Sequence, residues 1–364
     1  MAAPHRSHQI SVQDFVNLSS TPPLAETVRI QAEERFHTVV DHFTPTDEDS
    51  ASYNRPKLVG LVYRYAISPK SKDNVLLAFF RATELSMEGG PVDFSDATQT
   101  DALRARVVGF AEYLPTPHFR SATMRSSSRD FIGTTGDLSA LRGDCLVRDR
   151  HRCVVSRDFD MDEANKRATP DGEALDDDGN PILNDDVRIL EVAHILPHSL
   201  VQVGSESEEL SDSRKTALEI LNMFDSDVVH LINGVDSDRP YNALTLTTDL
   251  HRAFGRFDVY FTQITDLPHT YEIKTFQRFG FQRILPVTRA LYLMPDQSIE
   301  PPSPRLLALH RAIGHILHLS GAGRYIQNLL DKFEDQMVHS DGSTPLADLV
   351  QLRMNAWTAT RVNS

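Results

Sequence analysis

Two short segments limit what this chain can fold into: Glu191-Val-Ala-His-Ile-Leu-Pro197 and Asn242-Ala-Leu-Thr-Leu-Thr-Thr-Asp-Leu-His251. The first is a brief apolar run that ends in a histidine and is stopped by proline, the signature of a short buried strand beginning near Val187. In the second, Leu244-Thr-Leu-Thr247 alternates as a strand does, and Thr248 or Asp249 then stands where a helix cap is wanted, so His251 falls on a helix. The order is strand with a terminal His, strand opened by Asn, and helix with a His. His198 follows His194 by four positions, but Pro197 between them prevents the continuous helix that an H-x-x-x-H metal site needs.

This order resembles the HNH nuclease motif, and the flanks carry the resemblance further. Arg150-His-Arg-Cys-Val-Val-Ser156 is similar to the arginine-cysteine strand that often precedes such a domain, with Cys153-Val-Val-Ser156 read as the strand. Asp249-Leu-His-Arg-Ala-Phe-Gly255 resembles the helix of a subgroup abundant among predicted fungal proteins. The resemblance runs from about Leu138 to Phe261, roughly a third of the chain. It implies an α+β fold in which a small ββα-metal core is flanked by mainly helical N-terminal and C-terminal segments. It also implies a metal-dependent endonuclease that hydrolyses phosphodiester bonds in nucleic acid, DNA ahead of RNA.

In-line cleavage of a phosphodiester requires a base for the attacking water, positive charge at the phosphate and help for the departing oxygen. A histidine of unperturbed pKa near 6.5 suits the first task, and one divalent ion supplies the others. By the resemblance His194 is the general base and His251 a metal ligand. Asn242, whose amide donates and accepts at once, ties the loop between the strands and holds His194 in line. His194 and His251 are accordingly expected to face one cleft.

Two departures matter. Many members place Asp or His before the catalytic His as a second metal ligand, and here that position is Ala193. Glu191 shares a strand face with Ala193 and is one substitute ligand; Asp249 is the other, although it also reads as a helix cap. With few carboxylates the ion is expected to be Mn²⁺, Ni²⁺ or Zn²⁺ ahead of Mg²⁺. The second departure is the stretch of 47 residues (195–241) between His194 and Asn242, which implies an insertion. The rival reading is a catalytically inactive HNH-fold module that serves binding or interaction.

Charge favours that rival, because a formal net charge of −14 is unlike a dedicated nucleic-acid binder. Acids crowd between Asp158 and Glu191, while Arg142, Arg148, Arg150, Arg152 and Arg157 lie just upstream, which leaves open a basic face beside an acidic solvated loop. Cys145 and Cys153, the only two cysteines, lack the paired spacing of a zinc ribbon and read as buried thiols. The chain shows no membrane-length apolar run and no secretory leader, which points to nucleus or cytoplasm and no membrane partner.

Apolar periodicity then divides the chain. Residues 1–23 read as a flexible tail, 24–114 as a helical region, 115–136 as a linker and 137–262 as the nuclease domain with its insertion. Residues 263–338 form a strand and helical region and 339–364 a tail or short helix. Phe36, Val39, Val40 and Phe43 share one helical face, and a helix from about Thr100 buries Leu103, Val107, Phe110 and Leu114. Asp137 or Ser139 is expected to cap a helix reaching about His151, and Phe159 to Asp186 reads as a loop. Ser211–Phe224 reads as a helix, and His230 as a strand or loop residue. Strands are expected at Val259–Phe261 and Tyr271–Thr275. After Pro301-Pro302 comes a helix on which His310, His315 and His318 are partly exposed.

Overall fold

The apolar stripes of the N-terminal third become four helices, each started by a distinct local device. The computed structural model describes residues 22–45, 53–114, 135–196, 221, 223–225, 228–231, 238–294 and 298–323. Helix α1 (Glu26–Phe43) buries Phe36, Val39, Val40 and Phe43. Asn54 caps α2 (Arg55–Tyr65) by accepting from Lys57 N, with Pro56 in the first turn where its missing N–H costs nothing. Ser68 and Asp96 do the same for α3 (Pro69–Thr83) and α4 (Ala97–Tyr113). The helices meet through aromatic edges, Phe36 on Phe79 at 4.8 Å and Phe79 on Phe110 at 5.8 Å.

Helix α5 runs from Thr135 to Arg148, starting before the expected caps Asp137 and Ser139 and ending short of His151. The end has a backbone cause: Arg150 and His151 take positive φ, +55° and +54°, which a right-handed helix cannot include. Cys153–Ser156 is a turn and not the expected strand. Arg157 N donates to Cys153 O and Val154 N to Thr245 O, so Val154 and Val155 are buried in a turn rather than a ladder.

The stretch expected to be a loop is partly built. Strand β1 (Phe159–Asp160) leads into α6 (Met161–Arg167), capped by Asp160 and held by a Glu163–Arg167 pair one turn apart. Beyond α6 the chain turns at Gly172 and Gly179, both at positive φ, and returns as β2 (Val187–Arg188), parallel to β1.

Strand β3 (Leu190–His194) follows. Helix α7 (Val228–Leu231) is short and contains His230, placing that residue in a helix rather than a strand or loop. Of the expected Ser211–Phe224 helix only Leu221, Met223 and Phe224 are described, all helical; His198 lies outside the described residues. Strand β4 (Ala243–Thr247) pairs antiparallel with β3 in the register Glu191 to Leu246 and His194 to Ala243. Helix α8 (Thr248–Gly255) then packs against both strands. Thr247 occupies its cap position without a side-chain hydrogen bond, so neither Thr248 nor Asp249 caps it.

Strands β5 (Val259–Gln263), β6 (Thr270–Thr275) and β7 (Val287–Ala290) form a second antiparallel sheet. Helix α9 (Pro304–Leu319), capped by Ser303, lies on β5 and reaches α2, joining the two halves of the fold through one apolar core. His310 sits at that junction and is buried, against the expectation of partial exposure. Its ring stacks on Phe254 at 3.8 Å and Phe257 at 4.5 Å, and its Nε2 donates to Phe254 O at 3.0 Å. His315 and His318 are partly exposed. The fold is α+β, and none of the described helices is long and apolar enough to cross a membrane.

Candidate active site

Side chains alternate along β3, which sends Glu191 and Ala193 to one face and Val192 and His194 to the other. The first face receives α8. There Glu191 Oε2 meets Nδ1 of His251 at 2.6 Å, while Glu191 Oε1 accepts from the Thr248 hydroxyl at 3.3 Å. Glu191 is 41% exposed and His251 13%, so the pair borders solvent. Ala193 is buried in the core and brings no donor atom.

His194 ends β3 with its side chain almost wholly covered, 4% exposed. Its Nε2 lies 3.0 Å from Asp238 Oδ1, a residue in the turn before β4. A carboxylate on one imidazole nitrogen selects the tautomer and aims the other nitrogen.

Asn242 immediately precedes β4 and is fully buried. Its backbone carbonyl accepts from Ile195 N at 2.8 Å, its Oδ1 accepts from Leu196 N at 3.0 Å, and its Nδ2 donates to Leu196 O at 3.0 Å. One amide thus extends the β3–β4 ladder past its last pair and clamps the chain where it leaves His194. This is the tie expected of Asn242.

The opening of β4 has a second support. The Arg148 guanidinium, buried at the end of α5, donates to Pro240 O at 2.7 Å and Ala243 O at 2.9 Å, on either side of Asn242. Asp149 accepts from Arg148 Nε at 2.9 Å and Nη2 at 2.8 Å and also from Thr245 N at 3.2 Å, while Glu300 O accepts from Nη1 at 3.3 Å. A buried charge pair of this kind is retained only where its hydrogen bonds are satisfied, and here they fix a loop to a helix end. Behind the hairpin, burial pushes the Cys145 thiol up to about 12, which removes it from nucleophilic chemistry.

Glu191 and His251 are therefore brought together on the α8 face of β3, and His194 is brought to Asp238 on the other, so the described contacts set the two histidines in separate pairs and not in the single cleft expected of them. Asp249 is exposed in the first turn of α8, two residues and about 200° around the helix from His251. Among the described residues no group of three or more His, Cys, Asp or Glu side chains gathers as a metal site. Glu191 and His251 alone offer one imidazole nitrogen and a carboxylate at the solvent border. Such a donor set fits a divalent ion that keeps open positions for water and phosphate oxygens.

Sequence reasoning missed Asp238 and the Arg148–Asp149 pair. The available signal was an acid placed just before Asn242 and an adjacent Arg-Asp just before the Cys153 turn, but neither reveals its partner. The upstream arginines are paired instead of set out as a basic face: Arg142 pairs with Asp160, Arg148 with Asp149, Arg150 with Asp178 and Arg152 with Asp176. Arg157 lies over the Tyr292 ring at 4.3 Å. The acidic stretch folds back onto the arginines that precede it.

Two antiparallel strands, a helix packed on them, and His, Asn and His at the strand end, the strand opening and the helix define a ββα nuclease-type unit. Residues 153–262 match the family model for HNH endonuclease, so the chain carries an HNH endonuclease domain over that span. No curated protein and no solved structure gives a significant match.

Proposed function

We propose that this domain hydrolyses phosphodiester bonds in nucleic acid, DNA ahead of RNA, with His194 as general base and His251 and Glu191 at a divalent ion. The observation that carries the proposal is the Glu191–His251 contact, because it supplies from β3 the carboxylate that Ala193 lacks. The ion, when bound, offsets charge on the phosphate and on the departing oxygen. Asp238 at Nε2 orients the His194 imidazole and stabilises the imidazolium formed when the ring takes a proton from water. Asn242 keeps the base in position by holding both the backbone N–H and the carbonyl of Leu196.

The alternative is a binding module without catalysis. A plasmid-nicking assay with purified protein separates the two. Metal-dependent nicking that disappears in His194→Ala supports the enzyme, and binding without nicking in any of Mn²⁺, Ni²⁺, Zn²⁺ or Mg²⁺ supports the module.

A further inference from the structure

From Ile273 to Pro295 the chain holds no Asp or Glu but carries four cations, Lys274, Arg278, Arg283 and Arg289, in a protein of net charge −14. Lys274 pairs with Glu272 at 2.8 Å, and Arg289 donates to Val155 O at 2.7 Å. Arg278 and Arg283 are exposed in the loop between β6 and β7 and form no ion pair with a described residue. Between them Phe279 is 84% exposed, the most exposed large apolar side chain among the described residues.

The loop is anchored at both feet. Phe276 N donates to Asp258 O at 2.9 Å, and Gln277 Nε2 donates to Asp258 Oδ2 at 2.7 Å. On the far side Phe281 packs on the core and Leu285 is buried, while Gly280 at φ +105° makes the turn that leaves Phe279 outside. An aromatic ring held out between two uncompensated arginines is unfavourable in water unless something covers it, and its flanking charge selects an anionic partner. Asp258 lies just past the end of α8. The first foot of the loop is therefore tied to the C-terminal end of the helix carrying His251, an end that lies roughly 6 Å along the axis from that residue.

We infer that this loop is an arm for a single strand of nucleic acid, Arg278 and Arg283 meeting its phosphates and Phe279 stacking on one of its bases. The choice of partner rests on the nuclease reading above. A sequence-tolerant single-strand site combines these two elements, cations along the backbone and an aromatic platform for a base. Because the feet are fixed, little ordering cost is paid on binding.

The test is fluorescence anisotropy of a labelled single-stranded oligonucleotide and of the matching duplex, in EDTA so that nothing is cut, across a salt series. In Arg278→Ala/Arg283→Ala, single-strand affinity is expected to fall roughly tenfold near 0.1 M salt and the log–log salt slope to lose about 1.4, two phosphates' worth. Arg278→Lys/Arg283→Lys should retain the slope. Phe279→Ala should weaken the single strand by about fivefold or more and the duplex by less. Unchanged affinity and slope in the Ala/Ala variant overturn the arm, as does a wild type that binds no nucleic acid; an unchanged Phe279→Ala overturns the stacking. The nicking assay run in parallel judges the nuclease reading by itself, since cutting with unaltered Ala/Ala binding removes only the arm.

Discussion

Glu191 Oε2 lies 2.6 Å from Nδ1 of His251, joining the first strand of the hairpin to the helix that packs on it. The contact makes metal affinity a property of the pair. Glu191→Ala and His251→Ala should each weaken Mn²⁺ binding by roughly 10–100-fold in titration calorimetry, whether the carboxylate holds the ion or orients the imidazole. Asp249→Ala, on the other side of α8, should change it little. A large loss in Asp249→Ala with none in Glu191→Ala would exchange their roles.

His194 has its own carboxylate, Asp238, so base and ligand should separate in experiment. His194→Ala should lower the cutting rate roughly 10²–10⁴-fold and leave Mn²⁺ affinity nearly intact. Asp238→Asn should lower the rate by about tenfold or more, again without loss of metal. Equal loss of metal binding and cutting in His194→Ala would identify that residue as a ligand.

Asn242 is fully buried and satisfies both backbone polar groups of Leu196. Asn242→Ala strands an N–H and a C=O, at a cost of roughly 2–4 kcal/mol in denaturant unfolding. Asn242→Asp keeps the acceptor but sets an oxygen against Leu196 O, so it should fail to restore the wild-type midpoint. A midpoint within experimental error of wild type in both variants would show that the clamp is dispensable.

The strand, strand and helix order was legible because each piece depends on local pattern: a short apolar run before Pro197, alternation after Asn242 and a periodic helix around His251. The tie made by Asn242 was legible too, since an amide with a donor and an acceptor suits few other tasks at a strand opening. What failed was long-range pairing. Val154 and Val155 look like strand residues because they are β-branched, yet they are buried in a turn that meets Thr245. His310 looks like any helix-surface histidine until Phe254 and Phe257 close over it. The arginines before the acidic stretch look like a nucleic-acid surface, but each carboxylate that meets them lies in another turn of the chain or beside them.

Burial holds His310 neutral by pushing its pKa down to about 3, against a partial opposing effect of its hydrogen bond to Phe254 O. Its unfolded value is near 6.5, so below that pH the unfolded chain takes up a proton that the folded one refuses. Stability from this site is complete above pH 6.5 and falls as pH drops toward 3, by on the order of 1.4 kcal/mol per unit. His310→Gln removes the titration. Between pH 6.5 and 5, before most carboxylates titrate, the wild type should lose stability more steeply than the variant in urea unfolding; parallel curves would mean that the imidazole is charged or solvated in the fold.

Ala193 is buried on the face of β3 that also carries Glu191 and receives α8. Ala193→Asp would put a carboxylate there with little water around it, a cost of several kcal/mol unless the charge is compensated. A divalent ion at Glu191 and His251 is that compensation. The variant should be less stable than wild type in EDTA, recover its thermal midpoint on addition of Mg²⁺, and cut faster in Mg²⁺ because a hard oxygen ligand suits that ion better than imidazole. Wild type should prefer Mn²⁺, Ni²⁺ or Zn²⁺ over Mg²⁺ for the same reason. Strong Mg²⁺-supported cutting by the wild type, unaltered in Ala193→Asp, would mean that Glu191 or Asp249 already completes the oxygen shell.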